Sequence, residues 1–152
     1  RLSGDAGRRL RAAGLRSVLA AGDWFRISTR EPGVYGATSF DEFIPLLQQK
    51  FPTIELNYFQ SNVEGELINK LHETGFTYDG IILNAGGYTH TSVALADAVA
   101  AIKTAVIEVH ISNIFAREEY RHVSLISKHC KGIISGLGLK GYALAVECFL
   151  GV

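Results

Sequence analysis

Past Arg30 the chain switches between two hydrophobic periods. Ser39-Phe40-Asp41-Glu42 has the form of a capping box ahead of Phe43, Ile44, Leu46 and Leu47, which predicts a helix starting there. Pro45 falls inside that helix and should bend it or limit its first turn. Ile54-Glu55-Leu56-Asn57-Tyr58-Phe59 alternates at first and reads as a strand. Glu64 to Glu73 puts Leu67, Ile68 and Leu71 on one helical face, with Gly75 as the stop. Gly80-Ile81-Ile82-Leu83 is a continuous apolar run, the pattern of a strand covered on both faces, and it ends at Asn84-Ala85-Gly86-Gly87. Thr91 or Ser92 can cap an Ala-rich helix from Val93 to Lys103. Val106 to Ile111 is a further strand, Ile133-Ile134 a fifth element, and Gly141 to Leu150 a closing helix. Strands alternating with helices through short loops predict one α/β domain, a doubly wound five-stranded parallel sheet with helices on both sides. Ahead of Arg30, Ser17-Val18-Leu19-Ala20 can supply a central strand, and Leu10 to Leu15 can equally continue as helix. The pattern leaves both open.

Composition narrows the class. A chain of 152 residues with 47% hydrophobic residues suits a single domain and excludes a disordered one. At this size roughly 70% of the unfolded surface can be buried, so no disulfide or metal staple is required. The longest uncharged apolar stretch falls short of the ~18–20 residues of a membrane span. Fifteen Lys and Arg balance fifteen Asp and Glu, which argues against a nonspecific nucleic-acid binder held by phosphate contacts. That balance hides an asymmetry. Arg1 to Arg30 carry seven Arg, no Lys and two acids, a net of +5, and the remainder carries −5. The break marks an atypical Arg-rich segment, residues 1–28, which can include the first strand, ahead of a domain at 29–152. The chain begins without Met, so Arg1 is read as lying past the translation start; Arg11 and Arg16 interrupt any signal-peptide core between Leu10 and Ala21. Cys130 and Cys148 lack the spacing of a zinc site or redox motif and read as buried or semi-buried thiols of a reducing compartment.

Open α/β sheets bind ligands beyond the carboxyl ends of their strands. Asn84 follows one such strand, and Glu108 and His110, two apart on the next, share a face. A carboxylate beside a His holds one tautomer and favours the imidazolium, making a proton donor; a strand-end ion pair is the plainer reading. Gly86-Gly87-Tyr88-Thr89-His90-Thr91-Ser92 joins a strand end to a helix start, where free N–H groups and hydroxyls suit an anion. Ser112-Asn113 adds donors directly after His110 and Ile111. Arg117, Glu118, Glu119 and Arg121 read first as a solvated helical face. In the loop Arg30-Glu31-Pro32-Gly33-Val34-Tyr35-Gly36, an Arg stands five residues before a Tyr. A free Tyr titrates near ~10, and a nearby guanidinium lowers that value, so Tyr35 is a candidate general base; taken alone, the pair reads as a turn with a packed ring.

The ordered motifs REPGVYG (Arg30–Gly36), FQSNVEGELI (Phe59–Ile68), ILNAGGYTHTSVAL (Ile82–Leu95), IEVHISN (Ile107–Asn113), AREEYRH (Ala116–His122) and GLGLKGYALA (Gly136–Ala145) resemble type II 3-dehydroquinate dehydratase from about Arg30 to the end. The resemblance implies a flavodoxin-like fold, a homododecamer built from trimers, no cofactor and no metal, and a cytoplasmic enzyme of the shikimate or quinate pathway. It implies anti elimination of water from 3-dehydroquinate through an enolate. Tyr35 as phenolate would remove the proton alpha to the ketone, with Arg30 holding it ionised. His110, oriented by Glu108, would protonate the departing hydroxyl. Asn84 and the backbone at Ile111 and Ser112 would bind the substrate carboxylate; His90 and Arg121 would bind its hydroxyls; Asp97 would reach in from a neighbouring subunit. Arg117 is a second-rank candidate near Tyr35, whose loop would act as a lid.

The chain also departs from the family's pattern. The usual Asn-Gly-Pro-Asn loop is missing, and Asp23 falls where its second Asn would hold a water against the enolate oxygen. An ionised Asp would repel an enolate, and losing one preorganised donor can cost ~10²–10³ in rate. Residues before about Thr29 are therefore read as differing from the ordinary family N-terminus. Phe115, Val123 and Leu125 replace the more usual His, His and Tyr. The expectations are thus an active dehydratase, an assembled but impaired homologue, or a flavin or nucleotide carrier; the last lacks a phosphate-cradling loop after the first strand.

Overall fold

The computed structural model describes residues 17–22 and 39–151, with side chains from Ser39 onward. Asp23, Thr29, Arg30 and Tyr35, and the stretch from Leu10 to Leu15, lie outside the described residues. In chain order the elements are β1 (Ser17–Gly22), α1 (Phe40–Lys50), β2 (Glu55–Gln60), α2 (Glu64–Thr74), β3 (Gly80–Asn84), the single turn α3 (Tyr88–Thr91), α4 (Val93–Ala101), β4 (Val106–His110), β5 (Gly132–Ser135) and α5 (Lys140–Leu150). Three 3₁₀ turns, Ile114–Ala116, Glu119–Arg121 and Ser127–His129, lie between β4 and β5. The strands pair in parallel in the order β2-β1-β3-β4-β5. The stretch whose pattern allowed either helix or strand is a strand, and an inner one, bonded to β2 and β3 on its two sides.

Alternation along the inner strands builds two apolar layers. Ile82, Ile107 and Val109 point to one side and pack with Phe40, Leu47, Tyr142, Ala145 and Val146 of α1 and α5. Ile81, Leu83 and Val106 point to the other and pack with Leu67, Leu71, Leu95, Ala98 and Val99 of α2 and α4. All five residues of β3 and of β4 are buried, as a strand covered on both faces requires.

Local signals account for most boundaries. The capping box at α1 is formed: Glu42 N–H donates to Ser39 Oγ at 3.3 Å, and Ser39 N–H to Glu42 Oε2 at 2.9 Å. Pro45 leaves all eleven residues of α1 helical. It is exposed, as is Asp41 four residues earlier, so water can satisfy the carbonyl its missing N–H would have met. Of the two candidate caps for α4, Ser92 serves, its Oγ accepting from Leu95 N–H at 2.8 Å. That helix stops at Ala101, short of the expected Lys103, because Ile102 turns extended and the N–H groups of Lys103 and Thr104 both donate to the Gly75 carbonyl, at 3.0 and 2.8 Å.

Gly75 does end α2, but for a reason other than left-handed backbone. Its φ of −67° suits any residue. A Cβ there would lie 2.3 Å from Ile102 Cγ2 and 2.6 Å from the Leu71 carbonyl oxygen, so it is the lack of space at this crossing that demands glycine. Gly75→Ala is expected to destabilise the fold by about 1–3 kcal/mol, read as a lower urea midpoint at unchanged slope. An unshifted midpoint would mean that Ile102 yields freely.

Candidate active site

The strand order reverses between β1 and β3, where open parallel sheets leave a crevice beyond the carboxyl ends. Gly22, the last residue of β1, is level with Asn84, the last of β3. Both ends of the Asn84 amide are engaged: Gly86 N–H donates to Oδ1 at 3.2 Å, and Nδ2 donates to the Tyr142 hydroxyl at 2.8 Å.

Next to β3, strand β4 sends Ile107 and Val109 into the layer under α1 and α5. Its even positions therefore face the other way, and two of them are polar. Glu108 is fully buried and His110 is 5% exposed. A buried carboxylate is costly unless both oxygens find partners. Here Oε1 lies 2.5 Å from His110 Nε2, and Oε2 accepts from Ser124 Oγ at 3.0 Å. Ser124 is itself held by the N–H of Ser127 at 3.1 Å. With Nε2 engaged, Nδ1 is the nitrogen left to meet a substrate.

His90, on α3, stacks on His110 with ring centroids 6.2 Å apart and planes 20° from parallel. Its Nδ1 lies 2.7 Å from the Val123 carbonyl. A carbonyl only accepts, so Nδ1 carries the proton, and the neutral ring presents Nε2 as an acceptor. Burial, followed by the nearby His110 and Arg121, lowers the His90 pKa below its ordinary value and favours that neutral form. The link uses the backbone of Val123, whose side chain is exposed, so a residue other than His at this position leaves it intact.

Ile111 and Ser112 follow the end of β4, and with Asn113, Ala116, Arg117, Glu118, Gly136 and Gly138 they line an open cleft of about 730 Å³. The loop is pinned from β5 and beyond: Gly136 N–H donates to the His110 carbonyl at 3.1 Å, Gly138 N–H to that of Ile111 at 3.0 Å, and Ser135 Oγ to that of Ser112 at 3.1 Å. Gly136 has φ +85°, and a Cβ on it would stand 3.0 Å from that of Asn113. The Arg117–Arg121 segment is not the expected helical face. Arg117 and Glu118 are extended and only Glu119–Arg121 forms a 3₁₀ turn, with Arg121 Nε and Arg117 Nε approaching the same Glu118 carboxylate oxygen, at 2.8 and 3.5 Å.

The fold thus gathers Asn84, His90, Glu108, His110, Ile111, Ser112, Arg117 and Arg121 at one edge of the sheet. Asp97 stands apart, exposed on the outer side of α4. Sequence reasoning missed Ser124, Ser135 and Tyr142. A serine in a polar loop carries no signal until its acceptor is placed, and Tyr142 sits in an apolar helix, where its ring explains it without its hydroxyl. Among the described residues no three His, Cys, Asp or Glu side chains cluster as metal ligands, and no helix is long and apolar enough to cross a membrane. Cys148 is exposed, contrary to expectation, because it falls on the outer side of α5; Cys130 is half-buried, and burial pushes its thiol up to about 12.

The family described as dehydroquinase class II matches residues 18–150, beginning inside β1 and thus upstream of Arg30. A 3-dehydroquinate dehydratase of Bacillus licheniformis is 51% identical over 127 residues, covering 82% of this chain and 88% of its own. One from Bacillus pumilus is 49% identical over 124 residues, covering 80% and 84%. The crystal structure of a type II dehydroquinase from Butyrivibrio crossotus superposes with a TM-score of 0.84 at 37% identity, over 90% of this chain and 98% of that one.

Proposed function

We propose, since this chain belongs to the class II dehydroquinase family, that it is a 3-dehydroquinate dehydratase, a hydro-lyase acting by anti elimination through an enolate. The observation that carries the mechanism is the buried Glu108–His110 pair, closed off by Ser124 and set at the carboxyl edge beside His90. A histidine whose Nε2 faces a carboxylate is held in one orientation and can deliver a proton from its other nitrogen. His110 then protonates the departing hydroxyl.

The base is Tyr35, with Arg30 favouring its phenolate. Both lie in the chain that sets out from the end of β1 at Gly22, level with Asn84. Asn84 and the N–H groups of Ile111 and Ser112, beyond the β4 ladder, receive the substrate carboxylate. His90 accepts from a substrate hydroxyl through Nε2, Arg121 donates to another, and Arg117 contributes positive charge to the cleft.

The order β2-β1-β3-β4-β5 supports a flavodoxin-like, doubly wound fold. The exposed position of Asp97 suits a residue lent to a neighbouring copy in a homododecamer of trimers, with the reaction run in the cytoplasm and without a cofactor. We place the catalytic domain at 29–152 together with β1, which lies in the atypical 1–28 segment. Asp23, where the family has Asn, favours a second reading, an assembled but impaired homologue.

One steady-state measurement separates the two. Absorbance of the conjugated enone product should rise with 3-dehydroquinate present. No rise above buffer, in protein whose assembly is intact, would overturn the active-enzyme reading in favour of the impaired one.

A further inference from the structure

We infer that Tyr142 is a positioning residue for substrate binding: its hydroxyl, brought from α5 to the end of β3, fixes the plane of the Asn84 amide so that one N–H is left for the substrate carboxylate. The inference rests on the reading of Asn84 as a carboxylate ligand.

The geometry is that of a clamp. Nδ2 of Asn84 has two hydrogens, and one is used on the Tyr142 hydroxyl at 2.8 Å. Oδ1 is drawn the other way by the Gly86 N–H at 3.2 Å, a group that can only donate. The amide therefore cannot turn its oxygen toward an incoming anion, and its remaining N–H has a fixed direction. Asn84 is 7% exposed, so water can do little to replace a lost partner.

Tyr142 is itself immobilised. Its ring is fully buried, edge-on to Phe40 at 5.0 Å and 73°, with Phe43 at 6.0 Å. Rings of α1 and α5 thus set where the hydroxyl stands. Burial also pushes the phenol well above its ordinary pKa, so the group beside the anion site stays neutral. A hydroxyl buried with its ring needs a polar partner, and here that partner is the side chain at the end of β3.

Tyr142→Phe keeps the ring contacts and removes the clamp. KM for 3-dehydroquinate is expected to rise about three- to tenfold, the worth of one ordinary hydrogen bond, with kcat within about twofold. Asn84→Ala should raise KM by at least as much, and adding Tyr142→Phe to it should change KM no further. A shifted unfolding midpoint with unchanged KM would reduce Tyr142 to packing and overturn the inference. So would an equal KM rise in the Asn84→Ala background. If Tyr142→Phe does not fold, 3-fluorotyrosine at position 142, a weaker acceptor of similar shape, should raise KM by a smaller amount, and no rise would again overturn the inference. An unchanged KM in Asn84→Ala itself would remove the carboxylate reading, and this inference with it.

Discussion

Replacing His110 with alanine is expected to lower kcat by about 10²–10⁴-fold, the range that a positioned general acid contributes. The loss should fall on kcat more than on KM, because the groups assigned to the substrate carboxylate and hydroxyls come from β3, α3 and the loop after β4. Alanine does a second thing. Glu108 is fully buried and would lose its partner at Oε1, keeping only Ser124. Breaking a buried pair in this way typically costs about 3–5 kcal/mol. His110→Gln separates the two effects, since its amide nitrogen reaches the position of Nε2 and can still donate to Glu108 but cannot deliver a proton. It should lose kcat as alanine does and keep more of the thermal stability. A Gln variant within tenfold of the parent kcat would remove His110 from the acid role.

Tyr35→Phe is expected to produce a loss of similar size, about 10²–10⁴-fold in kcat, with KM little changed. Phenylalanine keeps the ring and removes the oxygen assigned to accept the proton alpha to the ketone. On the proposed route elimination begins with that proton, so an intact acid cannot compensate, and the double variant with His110→Gln should be little slower than the poorer single one. Single-turnover measurements would show the defect in the chemical step. Parental rates in Tyr35→Phe would refute the phenolate mechanism and direct the search for a base elsewhere at the carboxyl edge.

Ser124 and Ser135 illustrate why part of the site could not be read in advance. Ser124 lies sixteen residues from Glu108 and Ser135 lies 23 from Ser112, and each acts through one oxygen. Such bonds leave no period and no motif. His90 is intermediate. Its place in the strand-to-helix loop was legible, but its tautomer depends on a backbone carbonyl 33 residues away.

The Arg-rich start shows a different limit. Composition changes sharply near Arg30, yet β1, upstream of that change, pairs on both sides within the sheet and lies inside the family match. Charge counts report what solvent sees, whereas an inner strand is recruited by the backbone bonds its neighbours leave open. A run as short as Ser17–Ala20 carries too little pattern to announce that on its own.

By itself the sequence determined the alternation of strands and helices, the two-sided burial of β3, the cap at Ser39 and the shared face of Glu108 and His110. These follow from period, side-chain size and local hydrogen bonding, all of which act within a few residues. Only the tertiary structure decided that β1 joins the sheet, that Gly75 is demanded by Ile102, that Glu108 is satisfied by Ser124 and that Asn84 is held by Tyr142. Each of those depends on atoms brought together across tens of residues, and their energies come from excluded volume and buried hydrogen bonds that do not exist until the chain has packed.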